Sequence, residues 1–135
     1  MTPAREQKIA DVLLRRQLDL TVVLENVHDP HNISAVLRSC DAVGVQEIFA
    51  LNKNVPKPKR LGRKSSSGSV RWVDVHYFMD VEKCMAAVKN KYQKIYALSS
   101  DHAGKNLHDA DLTGSVALLF GNEKDGLTKE IMQYA

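Results

Sequence analysis

Apolar and polar positions follow two rhythms along this chain, and the switches between them mark out its elements. Ile9, Val12 and Leu13, with Arg16 one turn on, share a face at helical spacing. Thr2 and Pro3 supply an N-cap and a first helical residue, so a helix is expected from Pro3 to about Gln17. Residues 20–24, LTVVL, form the short β-branched run of a buried strand. The helical rhythm then returns in Ile33, Val36, Leu37, Cys40 and Val43, with Asn32 read as its cap and Gly44 as its stop.

QEIFAL (46–51) reads as a second strand, and the alternating RWVDVHYF (71–78) as a third. Residues 80–91 suit a helix with Val81, Cys84, Met85 and Val88 on one side. KIYALSS (94–100) and SVALLFG (115–121) are two more apolar strands, and a last helix opens near Thr128. Apolar strands alternating with helices predict an α/β domain, a mainly parallel sheet with helices on both faces. Ligands of such sheets gather beyond the carboxyl ends of the strands. Three segments fall there: ENVHDPHN, SSDHAG and GNEKDG.

Composition changes this picture little. A chain of 135 residues, 44% apolar and 26% charged, is one ordinary globular domain. No apolar run is long enough to span a bilayer, and MTPAREQKIADVLLRRQ is too charged for a secretory signal. Cys40 and Cys84 lack metal or redox spacing and are expected as buried, reduced thiols in a cytoplasmic protein.

Charge matters more. The net value is only +3, yet Lys53, Lys57, Lys59, Arg60, Arg63 and Lys64 form a block with no acidic residue between them. Such a block attracts a polyanion, or else is a solvated loop. Arg15 and Arg16 on the first helix, and Arg71, extend the basic set proposed to contact RNA. SSSGS (65–69) adds hydroxyls beside it. Arg71 and Trp72 make a basic–aromatic pair of the kind that stacks RNA bases, although a tryptophan in an alternating strand is expected in the core.

Ser34, Arg38 and Asp41, at i, i+4 and i+7, are expected on the helix face opposite the apolar stripe. Two readings of Arg38 stand. It pairs with Asp41 in a surface salt bridge, which spacing alone favours, or with Asn32 it holds a phosphate or a ribose hydroxyl. His28 and His31 have no third ligand at metal-binding spacing and read as turn residues, so no metal is expected. GNEKDG brackets Glu123 between glycines but has neither Walker nor dinucleotide-fingerprint spacing.

Together these segments carry a resemblance. ENVHDPHNISAVLRSCDAVG resembles motif 1, and LLFGNEKDGLT motif 2, of the SpoU/TrmH group of SPOUT methyltransferases, in the right order and over essentially the whole chain. The entry VLLRRQLDLTVVLENV resembles the TrmH branch, which 2′-O-methylates guanosine-18 in the tRNA D-loop. The resemblance implies a homodimeric, S-adenosylmethionine-dependent enzyme of knotted α/β (SPOUT) fold. Residues 1–18 would be a basic helical extension and 19–135 the methyltransferase domain. Asn32, Arg38 and Glu123 match catalytic positions, while Leu98, Ser99, Gly121 and Asn122 match cofactor-loop positions. In the family picture Arg38 acts on the 2′-hydroxyl, as a base or as a cation.

One departure stands out. The family continues past motif 2 into a third motif that completes the cofactor pocket and ties the knot, whereas this sequence stops at KEIMQYA. The expectation is therefore a C-terminally truncated member lacking the knot-forming part. Competing readings are a non-catalytic RNA-binding fragment, a methyltransferase of rRNA or another tRNA position, and a small-molecule-binding domain.

Overall fold

The computed structural model describes residues 1–53, 68, 71–100 and 104–135. Five strands, β1 (Leu20–Glu25), β2 (Glu47–Leu51), β3 (Asp74–Phe78), β4 (Lys94–Ala97) and β5 (Val116–Phe120), form one sheet in the order β3-β2-β1-β5-β4. Every neighbouring pair is parallel, so the mainly parallel sheet is wholly parallel among the described residues. β1 lies at the centre, with Val22 opposite Ile48 on one side and Leu118 on the other. Its burial on both faces matches its unbroken apolar run.

The two faces are covered by different helices. α2 (Pro30–Val43) packs Ile33, Leu37 and Cys40 with Val22, Leu24 and Ile48. On the other face α3 (Val81–Lys91) packs Val81, Cys84, Met85 and Val88 with Val23, Phe49 and Leu119. The short α4 (Lys129–Met132) adds Ile131 to this second layer. Both cysteines are buried and unpaired as expected. Burial pushes the Cys40 thiol up to about 11 and, with the nearby Glu25 charge, that of Cys84 to about 12, so both are inert neutral thiols at physiological pH.

Several boundaries shift from the expectation, each for a local reason. The first helix, α1 (Pro3–Leu14), is shorter than expected and none of its residues is buried; Val12, Leu13 and Leu14 are 45%, 60% and 84% exposed. Its apolar stripe therefore faces no core. The cap of α2 is Asp29, whose carboxylate accepts the His31 N–H, with Pro30 in the first turn. Asn32 is thereby displaced into the first turn and its amide is released from capping. Gly44 does end the helix, at φ +89°, where a Cβ would lie 2.6 Å from the Arg15 carbonyl oxygen.

β3 begins only at Asp74, so Trp72 precedes the ladder and is 50% exposed rather than part of the core. Ser34 is fully buried, with its hydroxyl unpartnered among the described residues, and not on an open face with Arg38. Asp41 receives Arg16 at 2.6 Å, through a guanidinium side chain only 5% exposed. That pair ties the segment after α1 to α2 and holds Arg16, one of the basic residues expected to contact RNA, largely out of solvent.

Candidate active site

The carboxyl ends of β1 and β5 lie side by side, because Leu24 is registered against Phe120. The loops leaving them therefore meet, and residues 91 positions apart come into contact: the Asn32 amide donates to Glu123 Oε1 at 2.8 Å. Both side chains are exposed at the rim of an apolar groove of about 520 Å³, lined by β1, α2 and β5 and including Phe120 and Gly121.

The two loops are built by backbone constraints. Asn26 stands at φ 55°, the left-handed region that asparagine tolerates better than most residues. From there its N–H reaches the Leu51 carbonyl at 2.8 Å and its side-chain oxygen accepts the Lys53 N–H at 2.9 Å. Its carbonyl accepts the Asn122 amide at 2.8 Å, so one residue ties together the exits of β1, β2 and β5. Asn122 also folds its own loop: its side-chain oxygen accepts the N–H groups of Lys124 and Asp125 at 2.9 and 3.2 Å. A Cβ on Gly121 would fall 2.2 Å from the Gly126 carbonyl carbon, so the returning chain occupies that space. Gly121 is required by this close self-approach.

A second brace lies beneath. Glu25, 1% exposed at the end of β1, accepts the backbone N–H and the hydroxyl of Thr128, both at 2.7 Å. Thr128 in turn caps α4, accepting from Ile131. Sequence reasoning passed over Glu25, because a carboxylate closing an apolar strand reads as the first exposed residue. Asn52 was also missed: it is 4% exposed, and its amide nitrogen and oxygen have no partner among the described residues.

Of the three residues matched to catalytic positions, Asn32 and Glu123 are brought into contact. Arg38 lies exposed midway along α2 and forms no ion pair with Asp41, whose carboxylate is taken by Arg16. Of the cofactor positions, Leu98 and Ser99 follow β4, while Gly121 and Asn122 follow the adjacent β5. The Leu98 N–H donates to the Leu119 carbonyl at 2.9 Å, carrying the ladder one step past β4. These four residues thus follow two neighbouring strands at the carboxyl edge of the sheet. Arg15 is exposed after α1 and Arg71 before β3. Lys57, Lys59, Arg60, Arg63 and Lys64 lie outside the described residues, as do Asp101, His102 and Ala103 of SSDHAG. Among the described residues, no group of three His, Cys, Asp or Glu side chains is placed to hold a metal, and no helix is long and apolar enough to cross a membrane.

Comparison with known proteins yields a consistent set. The model of the SpoU rRNA Methylase family matches residues 19–135. The chain is similar to a tRNA (guanosine(18)-2′-O)-methyltransferase of Thermus thermophilus, 41% identical over 134 residues, 99% of this chain and 68% of that protein. Its fold is similar to the crystal structure of the A. aeolicus TrmH/SpoU tRNA modifying enzyme, with a TM-score of 0.85 and 31% identity over 98% of this chain and 66% of that one. It is also similar to the AdoMet-bound rRNA methyltransferase from Sinorhizobium meliloti, with a TM-score of 0.73 and 25% identity over 90% of this chain and 46% of that one. The chain thus spans about two thirds of the first two and less than half of the third.

Proposed function

Because the chain belongs to the SpoU rRNA methylase family, we propose that it serves the transfer of a methyl group from S-adenosylmethionine to a ribose 2′-hydroxyl of RNA. The substrate is guanosine-18 of tRNA, the nucleotide named for the relative that is 41% identical. The observation that carries this reading is the Asn32–Glu123 hydrogen bond, which joins the two motifs at the carboxyl edge of the sheet.

The chemistry asked of these residues is modest. Methyl transfer needs the hydroxyl in line with the donor, and positioning alone lowers such barriers by several kcal/mol. S-Adenosylmethionine supplies the electrophilic methyl, with Leu98, Ser99, Gly121 and Asn122 holding one side of it. By donating its NH₂ to Glu123, Asn32 keeps its amide oxygen as an acceptor for the ribose hydroxyl or for Arg38. Arg38 acts as a cation, since a guanidinium stays protonated at any physiological pH; it stabilises the developing alkoxide and orients a neighbouring phosphate.

Arg15, Arg71 and the basic residues at 57, 59, 60, 63 and 64 supply phosphate contacts in this reading. A homodimer belongs to it too, supported by apolar side chains left at the groove, Val43 at 56% and Phe120 at 37% exposure. A cytoplasmic location, where tRNA is modified, completes it.

The test is transfer of labelled methyl from S-adenosylmethionine to a tRNA transcript by the full chain. Label at nucleotide 18, with resistance to alkaline cleavage after it, supports the reading. Label in rRNA alone moves the substrate. Saturable tRNA binding with no calorimetric binding of S-adenosylmethionine overturns catalysis and leaves an RNA-binding module.

A further inference from the structure

A second concave site lies at the opposite, amino-terminal end of the sheet. It is a cleft of about 400 Å³ between α1 and the segment leading into β3, within the size range of ligand pockets. One wall carries Trp72, half exposed just ahead of the ladder. The facing wall is α1, with Ile9 and Val12 on the stripe that meets no core. A flat apolar ring inserted there would lie between an aromatic face and aliphatic side chains.

The polar groups of the cleft favour an anion. Arg5, Lys8 and Arg71 line it, and Asp74 is the carboxylate opposed to them, since Asp41 is neutralised by Arg16. Arg16 lines it as well. Its Nη2 is spent on Asp41 at 2.6 Å, so it braces the wall of the cleft rather than adding a free cation to it. An exposed aromatic side chain and three cations together match an unpaired nucleotide: the base stacks and its phosphates meet the cations.

We propose that the cleft between α1 and Trp72 binds an unpaired nucleotide of single-stranded or looped RNA, as an anchor separate from the reacting ribose. The five-residue β2 puts roughly 17 Å between the two ends of the sheet. This anchor rests on RNA being the substrate, but not on methyl transfer taking place.

Trp72 is the only tryptophan of the chain, so its fluorescence reports on this cleft alone. The full chain is titrated with short single-stranded RNA oligonucleotides and with a tRNA transcript, while a labelled transcript followed by anisotropy reports total binding. Saturable quenching that tracks the anisotropy is expected. Trp72→Ala should then weaken binding by about 10-fold, and Arg71→Ala or Arg5→Ala should each lower the slope of log K against log salt by about 1. Transcript binding that leaves Trp72 fluorescence and the Trp72→Ala affinity unchanged overturns the anchor while sparing the proposed function. Saturable quenching without methyl transfer supports the anchor and counts against the enzyme. A concentration-dependent Trp72 signal without RNA, abolished together with self-association by Leu13→Glu, overturns it in favour of a contact between copies.

Discussion

The buried carboxylate of Glu25 holds Thr128 by two hydrogen bonds of 2.7 Å, so the end of the central strand β1 is what fixes the start of α4, 103 residues later. Removing the carboxylate strands a backbone N–H and a hydroxyl and loosens the cap of α4. Glu25→Ala is expected to cost about 2–4 kcal/mol, and Glu25→Gln, which keeps one acceptor, about 1–2 kcal/mol. Urea unfolding of the two variants checks the order. Equal and near-zero losses would show that the brace contributes nothing.

Asn32 and Glu123 are exposed, so their substitution separates catalysis from stability. Asn32→Ala and Glu123→Ala should change unfolding free energy by less than about 1 kcal/mol and lower kcat/KM for methyl transfer by about 10- to 100-fold. The double variant should lose little more than either single one, because each loss acts through the same contact. Arg38→Lys should lower kcat by about 10-fold with an unchanged melting temperature, if a planar guanidinium is what the ribose meets. Additive losses, or normal turnover with Lys at position 38, would remove these residues from a shared role.

Gly121→Ala tests the loop that carries Asn122 and Glu123. The added Cβ would lie 2.2 and 2.3 Å from backbone atoms of Gly126 and Leu127, which no side-chain motion relieves. A loss of at least about 2 kcal/mol is expected, with weakened S-adenosylmethionine binding by calorimetry. A Gly126→Ala substitution meets no atom within 4 Å but stands at φ +68°, so its cost should be smaller, about 1 kcal/mol.

Glu47 sets an acid limit to stability. Burial works against its ionisation, but hydrogen bonds from His76, Tyr92 and Lys91 outweigh burial and hold its carboxyl below the ordinary 4.5. With the folded value lower than the unfolded one, its contribution is present above about pH 4.5 and is lost as pH falls through the folded value. Denaturant midpoints measured from about pH 6 down to about pH 3 should converge for the native chain and Glu47→Gln. Parallel curves over that range would mean that the Glu47 cluster carries no proton linkage.

Much of this was legible in the sequence. The β-branched run LTVVL announced a doubly buried strand, the stripe Ile33, Leu37, Cys40 announced the buried face of α2, and Gly44 its end. Motif order also pairs ENVHDPHN with GNEKDG without any knowledge of their contact. Errors fell where a residue had two local uses. Asn32 is a good cap, but Asp29 followed by proline is a better one, and the amide is thereby left for Glu123. Trp72 fits an alternating strand, yet β3 starts two residues later and leaves the ring in the open.

The division follows from the range of the forces involved. Periodicity, capping and turn chemistry act over a few residues, so the sequence by itself determined the elements, their parallel arrangement and which loops share the carboxyl edge. Which polar group meets which is decided by strand order, and only the folded sheet sets β5 beside β1. That neighbourhood gives Glu123 to Asn32, Thr128 to Glu25 and Asn122 to Asn26. Tertiary packing also settles Asp41: its partner is not Arg38 one turn away but Arg16, 25 residues upstream, which burial holds at 2.6 Å where solvent would have loosened a surface pair.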